Sequence, residues 1–132
     1  MPEAMNVYKS LEQLRAKHAW VIVTKVKTEG QNAKSFGMQA KKLPVRIMAS
    51  GLGQAIAFLD AKKEAPALVA TLNEWIGKQS WAKDATHTSK VDATLIQRII
   101  ENDSEFLRMA TEESLALLQW IVRFAEAEGL LE

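Results

Sequence analysis

Apolar residues recur along this chain at three- and four-residue intervals, the spacing of amphipathic helices, and no stretch makes a convincing strand. From about Asn6 to Lys27, the residues Val7, Leu11, Leu14, His18 and Val21 step 4-3-4-3. That spacing predicts one core-facing stripe on a first helix, widened by Ala19, Ile22 and Val26. The β-branched run Val21-Ile22-Val23-Thr24 favours a strand in isolation, but the helical pattern before it outweighs that preference. Gly30 and Asn32 then end the element.

A second helix is predicted over Lys34 to Ser50, with Phe36, Ala40, Leu43 and Ile47 on its core face. Pro44 lies inside it, where a missing amide and a ring clash predict a bend or break. Gly51 suits the left-handed stop, and a third helix follows over about Leu52 to Lys63, burying Leu52, Ala55, Ile56 and Leu59 with Phe58 at its flank. Pro66 opens a fourth helix with the stripe Leu68, Leu72, Trp75 and Ile76, closed near Gly77.

Ala82 to Lys90 has no period and no large apolar group, and reads as a solvated loop. Asp92 is the expected cap of a fifth helix carrying Leu95, Ile96, Ile99 and Ile100. Asn102-Asp103-Ser104 breaks it and caps a sixth, about Glu105 to Glu128, with Leu107, Ala110, Ser114, Leu118, Ile121 and Ala125 on one face. Apolar residues around more than half of this last helix predict that it is central or covered by another chain. Thr111-Glu112-Glu113 carries the signature of an internal restart, so a bend is expected there. The pattern predicts an all-α, compact bundle of about six helices, a single domain over residues 1–132 with no β-sheet.

Composition narrows the class. At 132 residues, 48% hydrophobic and 25% charged, the chain is of ordinary globular make-up. It has no cysteine, which excludes disulfides and thiolate metal sites. The absence of a long apolar run predicts a cytoplasmic protein with no membrane partner.

The net charge of +1 hides a polarity. Residues 1–63 hold eleven Lys or Arg against four acids, a net of +7, and residues 64–132 hold six against twelve, a net of −6. Either the two halves face different partners, or the fold interleaves them and blurs the contrast.

Catalytic chemistry is thinly represented, and we expect no enzyme, cofactor or metal site. His18 falls on the stripe of the first helix and reads as a half-buried packing residue, and His87 as a chance loop residue. Neither joins a two-ligand helical spacing, and no nucleophile elbow is present. Glu112-Glu113 reads as charge complementing a helix N-terminus.

The turn Gly51-Leu52-Gly53 lacks the third glycine of a dinucleotide fingerprint and the Gly-Lys-Ser/Thr of a Walker loop. Its following helix N-terminus still offers amides to one backbone phosphate, with Gln54 the nearest side chain.

The basic cluster of the second helix is the sharper candidate. With Lys41 set at 0°, Lys34 lies at about 20°, Lys42 at about 100° and Arg46 at about 140°, all opposite the core face. No carboxylate occurs between Glu29 and Asp60. Cations along one face meet the needs of phosphate-backbone binding, whereas a merely solvated face usually mixes signs. Of the four tryptophans, Trp75 and Trp120 fall on or beside apolar stripes, and Trp81 is the one expected to be exposed.

Three blocks in order carry a family likeness. Lys41-Lys42-Leu43-Pro44 leading to Gly51-Leu52-Gly53-Gln54-Ala55-Ile56-Ala57-Phe58-Leu59 resembles the central signature of the Cmr small subunit, the small all-helical protein of type III-B CRISPR–Cas effector complexes. Arg15-Ala16-Lys17-His18-Ala19-Trp20 is similar to its N-terminal helix, and the segment from Phe106 to Ala127 to its C-terminal helix. Phe106 stands where a tyrosine is associated with the family, and Gln119 where a shorter polar residue is common.

The resemblance implies a non-catalytic subunit that stacks with copies of itself in a short filament, alongside backbone subunits and a large subunit. The two filaments enclose guide RNA and target RNA. On this reading Lys34, Lys41, Lys42, Arg46 and Gln54 are the candidate RNA-binding residues. The alternative is a protein–protein adaptor whose basic face docks acidic subunits without touching RNA.

Overall fold

The computed structural model describes residues 9–83 and 93–131. Each helix boundary within it has a local cause. Helix α1 (Leu11–Glu29) starts at a capping box, in which the Ser10 hydroxyl accepts from the Gln13 amide at 3.1 Å and the Gln13 side chain accepts from the Ser10 amide at 2.8 Å. Gly30, at φ 74°, stops it.

Helix α2 (Ala33–Ser50) hands over to α3 (Leu52–Lys62) through Gly51 alone. The Gly51 amide donates to Ile47 and its carbonyl accepts from Ala55, so one residue closes one helix and opens the next. Its φ of 90° is the conformation in which a Cβ is costly. Pro66 opens α4 (Pro66–Gly77) at the first turn, as expected.

A one-turn helix α5 (Ser80–Lys83) follows, then α6 (Leu95–Glu101) and α7 (Ser104–Ala127). Asp103 caps α7 by accepting from the Phe106 amide at 3.0 Å. The described residues thus form seven helices and no strand, an all-α fold.

The core follows most of the predicted stripes. Phe36, Ala40, Leu43 and Ile47 of α2 are buried, as are Leu52, Ala55, Ile56 and Leu59 of α3 and Leu68, Leu72, Trp75 and Ile76 of α4. Helix α7 lies at the centre and packs against α1, α2, α3 and α4. It closes in a Schellman turn: the Leu130 amide donates to Ala125 at 2.8 Å and the Gly129 amide to Glu126 at 3.1 Å. The Leu130 backbone then sits so close over Gly37 that a Cβ there would lie 2.3 Å from its carbonyl oxygen. The end of α7 is therefore seated directly on α2.

Several expectations need correction. The stripe of α1 is partly misplaced: Leu11 is 44% exposed and Val21 56%, while Ala19 and Val26, expected only to widen it, face the core together with Val23. Both sets have helical spacing, and they lie roughly a third of a turn apart. The small and β-branched set faces α7, with which α1 makes its main packing.

Helix α2 runs unbroken through Pro44, and α7 runs unbroken through Thr111, whose hydroxyl donates to the Leu107 carbonyl at 2.7 Å. Tertiary packing along one face of each outweighs the local breaker. Leu107 and Ile100, expected in apolar stripes, are exposed.

Ala82 and Lys83 belong to α5, with Ala82 buried, rather than to a solvated loop; the rest of that stretch, with His87, lies outside the described residues. Finally, Thr94 caps α6 through a second capping box with Gln97, and Asp92, the expected cap, lies outside the described residues.

Candidate nucleic-acid interface

The face of α2 opposite its core stripe carries Lys34, Lys41 and Lys42, all exposed. None of the three has a carboxylate within ion-pair distance among the described residues. Lys34 and Lys41 are seven residues apart, so they share one side of the helix at a separation of about 10 Å along its axis. Gln54 is exposed in the first turn of α3, just past the Gly51 hinge.

Arg46 behaves differently. Its Nη1 donates to Gln39 Oε1 at 2.6 Å, and its guanidinium lies over the Phe58 ring, 4.4 Å from the centroid. Gln39, itself buried, passes the interaction on by donating to Glu64. Arg46 thus ties α2 to α3 and to the residue leading into α4, with its planar group held in place. Lys62 also approaches the Phe58 ring, at 5.8 Å.

The face is not purely cationic. Met38, Val45 and Met48 lie between the lysines, with Val45 71% and Met48 77% exposed. At about 100° per residue, Lys34, Lys41, Val45 and Met48 fall within an arc of about 60°. This interleaving by Val45 and Met48 was missed from sequence. Their signal was the angular position they share with Lys41.

Folding also changes the charge picture. Basic and acidic halves meet in Arg15–Glu113 and in Lys27–Glu128 at 3.0 Å. A cleft beside Lys41 is lined by Glu12, Trp120, Arg123 and Glu126, but Glu12 is paired with Arg15 at 3.0 Å and Glu126 with Arg123 at 3.3 Å. The polarity of the sequence is therefore partly interleaved, and Lys34, Lys41 and Lys42 of the α2 face are among the cations that stay uncompensated among the described residues.

Two further residues were misread or missed. Glu113 does not decorate a helix start: it is 7% exposed and accepts from Arg15 Nε at 2.7 Å, Arg15 Nη2 at 2.8 Å and Trp75 Nε1 at 2.9 Å. One carboxylate so joins α1, α4 and α7. Its signal was spacing, three residues from Ala110 and four from Leu117, both core. Arg98 is also buried, with Nη1 donating to the Ala82 carbonyl at 3.4 Å.

His18 is the half-buried packing residue expected, with Nε2 at 2.8 Å from the Thr71 hydroxyl and its ring 4.9 Å from that of Trp75. Burial, with Lys78 nearby, holds its pKa below the usual imidazole value. Trp81, expected to be exposed, is half-buried edge-on to Phe106, and Trp20 on α1 is the most open of the four tryptophans. Among the described residues no group of three or more His, Cys, Asp or Glu is placed to hold a metal ion. No helix among them is long and apolar enough to cross a membrane.

An all-helical chain presenting a basic, partly apolar helix face defines a small α-helical protein whose surface, rather than a cleft, offers the chemistry. A family model described as "CRISPR-associated protein (Cas_Cmr5)" matches residues 11–128. The chain belongs to this CRISPR-associated Cmr small-subunit family, and so to the subunits of a Cmr effector complex.

Proposed function

We propose that this chain is a non-catalytic structural subunit of a type III-B RNA-guided effector complex in the cytoplasm. Copies stack as a small-subunit filament beside the backbone and large subunits and help hold guide RNA and target RNA through phosphate contacts. The observation that carries the RNA reading is the α2 face, with three exposed lysines and no carboxylate in ion-pair reach. Family membership supports the setting among other subunits. Within the candidate set, Lys34, Lys41 and Lys42 are the phosphate contacts. Gln54 is an auxiliary donor. Arg46 holds the α2–α3 corner in shape and meets RNA at most through the guanidinium face left open by Phe58.

Backbone binding of this kind is sequence-tolerant and salt-dependent. Replacing Lys41 and Lys42 together with Gln is expected to weaken target-RNA binding by the assembled complex across all sequences. It should also flatten the slope of log affinity against log salt by roughly 0.7 to 0.9 per lost contact. An unchanged slope with intact target capture would overturn the assignment. Purified chain is expected to show no metal-dependent RNA cleavage.

Met38, Val45 and Met48 favour a second reading, since phosphates have no use for exposed thioether and valine side chains. In it the α2 face docks an acidic protein surface. Photocrosslinking of the assembled complex separates the two: an RNA adduct at Lys41 or Lys42 supports the first, and a peptide adduct there supports the second.

A further inference from the structure

A second surface is the groove between α1 and α4. The α1 residues Leu11, Leu14, His18, Val21 and Lys25 step 3-4-3-4 and line one wall of a groove of about 780 Å³. On the opposite wall, Ala67, Thr71 and Glu74 of α4 and Lys78, the residue that caps its end, step 4-3-4. A 3-4 step is the spacing by which a helix keeps one seam turned toward a neighbouring helix. Here two adjacent helices turn such seams into the same groove, and within the described chain nothing fills it. Leu11 and Val21 are left open to water in consequence. The α4 wall extends over about 18 Å, some three turns of an incoming helix.

Charge specifies the occupant. Lys17 and Lys25 stand on the α1 rim without a carboxylate within 4.0 Å among the described residues. On the α4 side, Glu74 is shared between Lys78 at 3.9 Å and His18 at 3.7 Å, and Glu29 lies at the far end of α1. The rim is therefore net cationic over an apolar floor of Leu14, Ile22 and Ala67. Such a floor offers nothing to a sugar–phosphate backbone, and the one tryptophan lining it, Trp75, is buried and donates to Glu113.

We propose that the groove between α1 and α4 docks an amphipathic helix from another protein subunit, apolar on its inner face and carrying Asp or Glu at its flanks opposite Lys17 and Lys25. This docking is independent of any RNA contact by α2.

The chain lacks cysteine, so Val21→Cys gives a single thiol at an exposed position in the groove. Iodoacetamide alkylation would be timed in the free chain and in the assembled effector complex, before and after ribonuclease treatment. The expected result is at least tenfold slower alkylation in the complex that survives ribonuclease. Zero-length carbodiimide crosslinks should join Lys17 or Lys25 to carboxylates spaced three or four residues apart on a different protein. Equal rates in free and assembled chain would overturn the proposal, as would protection lost on ribonuclease treatment or crosslinks that join two copies of this chain. A charge-reversed variant, Lys17→Glu with Lys25→Glu, changes only exposed side chains. It should retain the wild-type helical signal and melting behaviour while entering the complex at least tenfold less well. Entry at the wild-type level would likewise sink the idea.

Discussion

Glu113 takes its effect from how many elements it answers to. Its two oxygens receive three donors, two from Arg15 and one from Trp75, and Arg15 also reaches Glu12, to which Trp120 donates at 3.3 Å. The pairing with Glu113 raises the Arg15 pKa well above the ordinary arginine range. Removing the carboxylate leaves a partly buried guanidinium and a buried indole N–H without their acceptor. Glu113→Ala is therefore expected to lower unfolding stability by about 3–5 kcal/mol, measured by urea denaturation, with little change in m-value. His18 supplies a pH signature. Its pKa is lowered in the folded state, so the unfolded chain binds the extra proton more readily, and stability falls as pH drops below the ordinary 6.5. A His18→Gln variant should flatten the stability–pH curve in that window, and a curve of unchanged shape would assign the slope to other groups.

At the scale of elements, the test cases are the two places where the chain looks as if it should break or give. Pro44 denies Ala40 its helical donor, yet α2 holds because Phe36, Ala40, Leu43 and Ile47 are packed along its length. Pro44→Ala supplies that donor and is expected to raise the melting temperature, unless the half-buried ring contributes packing of equal worth. Gly37 has the opposite character: Gly37→Ala drives a methyl into the Leu130 carbonyl, and backbone cannot swing aside as a side-chain tip can. A loss of about 1–3 kcal/mol is expected in thermal or chemical denaturation, despite the better helix propensity of alanine.

These elements also show what the sequence made legible. The stripes of α2, α3 and α4 were readable because each has one dominant apolar face. Helix α1 has two, and spacing alone does not say which one meets α7. The exposed lysines were readable for the same geometric reason as the α2 core, being opposite it. The engagement of Arg46 was not, because Gln39 and Phe58 reach it only through tertiary packing of α3 on α2.

Across the whole molecule, two surfaces differ in character. The α2 face combines cations with exposed methionine and valine, while the α1–α4 groove offers an apolar trough with a cationic rim. A protein with both offers two chemically distinct contact surfaces. The outer side of α7 adds a short charge ladder, Glu105–Arg108–Glu112, which is fully exposed and contributes little to stability. Neutralising Arg108 is expected to leave the melting temperature within about 1–2 °C of wild type, as surface substitutions usually change stability by less than 0.5 kcal/mol.

The central position of α7 has a consequence for biosynthesis. Its partners Glu12, Arg15 and Lys27 precede it by 108, 98 and 101 residues at their points of contact. A ribosome releases those early residues long before their counterparts exist, so the emerging helices lack the element that completes their core. Fragments that stop short of Ser104–Ala127, such as residues 1–103, should be cut more rapidly by protease than the whole chain. Element order thus bears on quality control: a prematurely terminated product lacks the helix around which its other helices pack, and is expected to compete poorly for a place in the assembly.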